Sequence, residues 1–265
     1  MKSVKNNNVD KQIQVSPEII TKQKASHNFL FRALRYYLKP FVDPMVHRFQ
    51  LKKWAHNSDR RVLNWDWRST NFNRIAAVNL LLNKFNNPSY LEIGCASDSL
   101  FNSVPVEHKV GVDPSHGGNI RKTSDDFFKE NKKKFDVIFI DGLHSYEQVR
   151  RDIINSINTL NEGGWIALHD MLPRSWIEHH IPIISQGPWT GDVWKVAFEL
   201  IQTEGIDFKI LKIDHGVGVI KIIKRDAQLK DLREELLHKE FTYYYDNINK
   251  LPVTEWSDAQ SWMRK

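Results

Sequence analysis

Two side chains with different proton affinities stand three residues apart in Ile140-Asp-Gly-Leu-His144, and a second such pair, His169-Asp170, closes another apolar run. A carboxylate and an imidazole sharing one loop, instead of a helix face, can converge on a small volume as metal ligand, proton acceptor or both. A plainer reading is also open: Asp141 caps the next helix, His144 lies on the surface, and His169 merely orients Asp170. The elements that deliver these residues decide between the two.

Phe135 to Asp141 is a run of β-formers that ends abruptly on Asp-Gly, the pattern of a parallel strand whose last side chain reaches a crevice at the sheet's carboxyl edge. Further strands are expected at 90–94, 108–113, a short piece at 121–123, then 164–170, 206–213 and 217–223. Helical patterns fall near 98–102, 124–131, 146–160 and 191–203. They are preceded by a helix from Phe72 to about Asn86 that Thr70 or Asn71 caps, with Ile75, Val78, Leu82 and Phe85 inward. Alternating strands and helices predict a mainly parallel sheet covered on both faces. Asp214-His-Gly-Val-Gly218 is too short for a parallel crossover, so the final pair is an antiparallel hairpin. The fold class is therefore α/β: a Rossmann-like, seven-stranded, mostly parallel sheet with an antiparallel last strand, plus helical extensions at both termini. In that topology Asp141, His144, His169 and Asp170 gather at neighbouring strand tips.

Glu92-x-Gly94 at the end of the first strand resembles the cofactor-proximal turn of class I S-adenosylmethionine-dependent methyltransferases, with Cys95-Ala-Ser-Asp98 where a later glycine is usual. A glycine there lets the backbone approach a cofactor with no Cβ in the way. Asp113, roughly 20 residues on, stands where such folds accept bonds from ribose hydroxyls. Ser124 and Asp125 fall where the family lines the adenine, though a helix N-cap explains Ser124 equally well. Taken with Ile140-Asp-Gly-Leu-His-Ser-Tyr146, Gly163-Gly-Trp-Ile-Ala-Leu-His-Asp170, Gly191-Asp-Val-Trp-Lys195 and Asp214-His-Gly-Val-Gly218, residues 89–223 resemble the methyltransferase family 24 group. That group is related to macrocin and mycinamicin sugar O-methyltransferases and to cephalosporin-hydroxylase-like proteins. The resemblance implies S-adenosyl-L-methionine as cofactor, Asp141 and Asp170 as ligands of a divalent cation, magnesium or manganese, and His144 as general base. His169 stands where an acidic ligand is common; either it shifts preference from magnesium toward manganese, iron or zinc as a third ligand, or the site holds no metal.

Methyl transfer from a sulfonium needs an in-line oxygen nucleophile, and an alcohol is a poor one until its proton leaves. A positioned imidazole contributes roughly 10² to 10⁴ in rate, and a cation on the same oxygen lowers its pKa. Two further stretches fall on the same rim. The loop 171–190, rich in Trp, Pro and His, has the length of a lid, with His179 and His180 expected to face solvent. After it, Asp192, Trp194 and Lys195 either face the site or cap and pack, and Asp214 and His215 turn at the same edge.

Composition narrows the remaining choices. The chain has 265 residues and 41% hydrophobic content, enough for one sizeable core with appendages. A single cysteine, Cys95, excludes an internal disulfide framework and a four-cysteine zinc site, and makes a reducing, cytoplasmic location the default. No apolar run approaches a membrane span or a signal-peptide core. Of the net charge of +6, residues 1–61 carry 13 Lys/Arg against 4 Asp/Glu, and the remainder is slightly acidic. That asymmetry argues against a nucleic-acid groove across the fold. The expected organisation is a disordered basic tail at 1–25, a helical basic arm at 26–71, a methyltransferase domain at 72–224 and a helical C-terminal appendage at 225–265. Basic amphipathic helices within 26–61 suit either peripheral contact with an anionic membrane or packing on the body or a second subunit, so a homo-oligomer is one expectation. The function expected is O-methylation of a small-molecule or glycan acceptor at a sugar hydroxyl. The alternatives are a cephalosporin-hydroxylase-like metal enzyme and a non-catalytic cofactor-binding module of a glycan assembly complex.

Overall fold

In the computed structural model, which describes residues 44–67 and 69–265, β1 (Ser89–Ile93) pairs in parallel with β2 (His108–Val112) and with β3 (Phe135–Ile140). β3 pairs in parallel with β4 (Leu160–Leu168). β6 (Val217–Ile222) lies antiparallel between β4 and β5 (Ile206–Leu211), and β7 (Val253–Thr254) runs parallel to β5 at the edge. The resulting order is β2-β1-β3-β4-β6-β5-β7, in which β6 alone opposes the rest. This is the mostly parallel, Rossmann-like sheet that the sequence predicts.

Seven strands are reached by a different route from the one expected. The piece at 121–123 forms no strand, and a single parallel bridge between Val112 and Ile120 is all that stands there. Too few residues separate Asp113 from Arg121 for a parallel crossover. The segment instead folds back on β2, where the Asn119 and Ile120 amides both donate to the Gly111 carbonyl at 2.9 Å. β7, from the C-terminal segment, supplies the seventh strand.

Alternate residues of β1 divide the core. Tyr90, Val137, Phe139, Trp165 and Ala167 join Ala77, Val78, Leu81 and Leu82 of α2 (Arg74–Leu82) and Ala259 and Met263 of α10 (Trp256–Met263) in one buried cluster. Fully burying such a side chain contributes roughly 1.5–3 kcal/mol. The C-terminal segment is thus built into the core: Trp262 donates from Nε1 to Asp207 Oδ2 at 2.7 Å, and Phe72 stacks on Trp256. Between β strands run α3 (Ser99–Ser103), α4 (Ser124–Glu130), α5 (Tyr146–Thr159), α6 (Trp176–His179) and α7 (Lys195–Leu200), with α8 (Arg233–Leu236) and α9 (Phe241–Asn247) after β6.

Residues 54–265 form one compact unit; in the other, the described residues are the helix α1 at 44–53, where Met45, Val46 and Phe49 are exposed. The tail expected at 1–25 and most of the arm expected at 26–71 lie outside the described residues.

The loop 171–190 departs from expectation. Met171 and Leu172 are fully buried, and His179 and His180, expected in solvent, are 2% and 1% exposed. Trp54 and Trp176 pack on His180, and Trp194 and Phe241 pack on His179, so aromatic packing has removed both imidazoles from water.

Candidate active site

The register of the parallel strands decides what meets at the carboxyl edge. Ile93 lies opposite Val112 and Ile140, and Ile140 lies opposite Leu168. The next residue of each strand, Gly94, Asp113, Asp141 and His169, therefore falls in one row, with Asp170 directly after. Asp170 takes a left-handed conformation, φ 62°, a region in which a short polar side chain is tolerated.

The four strand-tip candidates form one network with Asp214. His144 Nε2 lies 3.3 Å from Asp141 Oδ1, and its Nδ1 lies 3.1 Å from both Asp170 Oδ2 and the Trp189 carbonyl. His169 Nδ1 is 3.4 Å from Asp141 Oδ1 and 3.2 Å from Asp170 Oδ1, while its Nε2 faces Asp214 Oδ1 at 3.5 Å and Arg74 Nη1 at 3.1 Å. Burial alone would raise the Asp141 carboxyl, but the His169 charge and bonds from both imidazoles hold it well below the usual range. Burial would likewise lower both histidines, and the facing carboxylates outweigh it: Asp141 and Asp170 raise His144 moderately and His169 strongly. For Asp214, burial is outweighed by His169 and Arg74, and its pKa falls.

His144 is fixed from the far side by the end of the 171–190 loop. The Trp189 ring stacks on the imidazole, centroids 5.1 Å apart and planes 22° from parallel. Gly191 follows at φ 60°, and a Cβ there would come within 1.7 Å of the His144 carbonyl oxygen. A bond from Nδ1–H to the Trp189 carbonyl or Asp170 makes Nε2 the bare nitrogen. Two lone-pair atoms, Nε2 and Asp141 Oδ1, then face each other at 3.3 Å, a contact that attracts only with a proton or cation between them.

The cofactor candidates fare differently. Gly94 lines the cavity, but a Cβ on it would strike the Asp141 carbonyl oxygen at 2.0 Å, so close approach of the β3 exit itself requires glycine here. Glu92 turns to the opposite face, is 2% exposed and accepts the Tyr90 hydroxyl at 2.6 Å; burial raises its pKa to about 7. Cys95 is buried beneath Gly111 and Gly118, with burial raising its thiol pKa. Asp113 is saturated by protein donors: Oδ2 accepts the Cys95 and Ala96 amides at 3.2 and 3.1 Å. Its Oδ1 accepts the Ser115 amide, the Ser115 hydroxyl and the His116 amide at 2.8, 3.1 and 3.0 Å. Burial is outweighed by these bonds, which lower its pKa to about 2. Ser124 lines the cavity and accepts Gln148 Nε2 at 3.0 Å. Asp125 turns to Gln148 and Arg151.

Asp192, Trp194 and Lys195 cap and pack. Asp192 Oδ1 accepts the Tyr146 amide at the start of α5 at 2.7 Å, Lys195 Nζ bonds Asp192 Oδ2 and the Leu237 carbonyl, and Trp194 is fully buried. Sequence reasoning missed Arg74, whose helix begins one residue after an Asn73 cap instead of at Phe72, so that its guanidinium stands at the strand tips. Asn73 is as good a cap by type as Asn71 and better than Thr70, so residue type alone did not set the start.

These residues enclose a cavity of about 680 Å³ running from Asp113, Ser115 and His116 at one end to Asp141, His144 and Asp170 at the other. Such a volume suits a nucleoside-sized ligand. One donor atom each from Asp141, His144 and Asp170 lie within 4.8 Å of one another, a spacing and donor set that fit a divalent cation.

Residues 49–171 match the methyltransferase family 24 model, described as a methyltransferase domain. Among curated proteins none matches the chain significantly. Among solved structures, the chain is similar to the MycE methyltransferase of the mycinamycin biosynthetic pathway in complex with Mg and SAH. The two are 16% identical over 57% of this chain and 49% of that one, with a TM-score of 0.39. It is also similar to an O-methyltransferase from Bacillus cereus in complex with SAH, 13% identical over 72% and 97% of the two chains with a TM-score of 0.44. A further similarity is to the O-methyltransferase TomG from Streptomyces achromogenes, 12% identical over 57% and 80% with a TM-score of 0.41. The chain spans about half the length of MycE. Strand tips, cavity and family match thus coincide on one stretch of chain, residues 49–171, which is similar to the methyltransferase domain of methyltransferase family 24.

Proposed function

We propose that the chain transfers a methyl group from S-adenosylmethionine to a hydroxyl of a small-molecule acceptor, a sugar or glycosylated metabolite. The observation that carries this reading is the placement of His144, with Nε2 turned to Asp141 and Nδ1 turned to Asp170 and the Trp189 carbonyl, at the end of a cavity that can take a nucleoside. The donor, when bound, supplies an electrophilic methyl on a sulfonium. His144 Nε2 takes the acceptor's hydroxyl proton, and Asp141 and Asp170 stabilise the imidazolium so formed. The same carboxylates would hold a divalent cation that lowers the hydroxyl's pKa. Asp113 holds the Cys95–Ala96 and Ser115–His116 turns that wall the nucleoside end. The Trp189 ring stacked on His144 and the exposed Leu143 on the cavity lining offer apolar faces, which supports a ring-shaped acceptor.

One observation favours a second reading. Because His144 belongs to the same compact donor set as Asp141 and Asp170, it can serve as a ligand instead of a base, as a hydroxylase-like metal enzyme would require. The two are separated by supplying S-adenosylmethionine, Mg²⁺ and a panel of glycosides, and measuring S-adenosylhomocysteine by mass spectrometry. Acceptor-dependent formation of S-adenosylhomocysteine supports methyl transfer; none with any acceptor, alongside oxidised product under Fe²⁺, would favour the other. On α1, the exposed Met45, Val46 and Phe49 interleave with Arg48 and Lys52, which supports contact with an anionic membrane surface.

A further inference from the structure

A sulfonium donor has three arms, and the cavity offers three kinds of wall. Asp113, Ser115, His116 and Ser124 suit a nucleoside, and Asp141, His144 and Asp170 suit the reacting methyl and its acceptor. The rest of the lining includes Arg74, the only lysine or arginine on the cavity among the described residues.

The guanidinium is placed and only half used. The Arg74 backbone amide and Nη1 both reach Asp214 Oδ2, at 3.1 and 3.0 Å, and Nη1 also meets His169 Nε2. Nε and Nη2 have no hydrogen-bond partner among the described residues, and the side chain is 29% exposed. Asp214 thus pins one edge of a planar fork whose other N–H groups remain available to a carboxylate, an anion that a guanidinium matches with two parallel bonds.

Resting on the methyl-donor reading above, we propose that Arg74 receives the α-carboxylate of the donor's methionine arm. It is a binding residue for the cofactor, held by Asp214, and it fixes the direction in which the sulfonium points. An acidic group on the acceptor would satisfy the same guanidinium, and the experiment separates the two sources because it contains no acceptor.

The test is calorimetric titration of the full chain with S-adenosylhomocysteine and with the analogue that lacks the carboxylate, S-adenosyl-3-thiopropylamine. The wild-type chain should bind the first about 10- to 100-fold more tightly, the range for charge-assisted bonds. Arg74→Gln should lose that preference by weakening S-adenosylhomocysteine while leaving the analogue where it was. Arg74→Lys should recover part of it. Asp214→Asn, which loosens the fork without removing it, should keep a reduced preference. Equal weakening of both ligands by Arg74→Gln, or an unchanged preference, would overturn the proposal and make Arg74 a strut for the Asp214 hairpin. Failure of the wild-type chain to bind either compound would instead remove the methyl-donor reading itself.

Discussion

Asp113→Asn isolates the most heavily bonded carboxylate of the site. In the wild-type chain both carboxylate oxygens accept backbone amides, Oδ2 from Cys95 and Ala96, Oδ1 from Ser115 and His116. An asparagine can keep one pair but must turn its NH₂ toward the other, leaving two amides facing a donor. An unsatisfied buried donor costs about 1–3 kcal/mol. Because these turns lie at a cavity wall where water can reach them, the lower figure applies to each, about 2 kcal/mol together. For a unit of this size that is a fall in Tm of roughly 4–8 °C. Thermal melting at pH 7 and calorimetric titration with S-adenosylhomocysteine measure the two consequences: lower stability, and weaker cofactor binding because the turns that wall the nucleoside end are loosened. A variant as stable as wild type that binds S-adenosylhomocysteine poorly would refute the reasoning, since it would make Asp113 a direct ribose ligand with no clamping role.

Other perturbations probe other links. Glu92 has a folded pKa near 7, above its ordinary value, so the folded chain binds this proton more tightly than the unfolded one and loses stability as pH rises from about 4.5 to about 7, by roughly 3 kcal/mol. Glu92→Gln should therefore melt several degrees higher than wild type at pH 8 and no higher at pH 4; a lower melting point at pH 8 would contradict a buried charge there. Because facing carboxylates raise His144, turnover should climb with pH through a value above 6.5, and added Mg²⁺, which Asp141 and Asp170 would hold and which would offset their charge, should move the limb to lower pH. A pH–rate profile that is flat below pH 7 would exclude His144 as the base. Gly191→Ala places a Cβ against the His144 carbonyl at a left-handed φ; it should cost about 2 kcal/mol or more and lower turnover more than S-adenosylhomocysteine affinity, and full turnover would show that the loop does not position His144.

The strand tips were legible because apolar runs that stop on Asp-Gly and His-Asp have few places to go but the carboxyl edge of a parallel sheet. Register then does the rest, since it aligns Gly94, Asp113, Asp141 and His169 without further instruction. The residues that escaped are those whose roles depend on distant partners. Arg74 looks like a surface position on an amphipathic helix until Asn73 sets where that helix starts and Asp214, across the fold, turns the guanidinium inward. His179 and His180 carry no sequence sign of the aromatic packing that buries them. Gly94 was legible as a necessity but for a different cause, because the obstacle to a side chain is the Asp141 carbonyl within the protein. The C-terminal segment contributes β7 and α10, and nothing in its charged opening announces that its last Trp and Met residues complete the core.

The central claim is that a sulfonium donor lies along the strand tips with its nucleoside against Asp113 to His116 and its reacting end at Asp141, His144 and Asp170. A crystal structure of the full chain grown with S-adenosylhomocysteine and Mn²⁺, with anomalous data at the manganese edge, tests it directly. The account predicts a nucleoside in the 680 Å³ cavity and a manganese peak bridging Asp141 and Asp170. Density for the nucleoside elsewhere, or an anomalous peak away from those carboxylates, would contradict it.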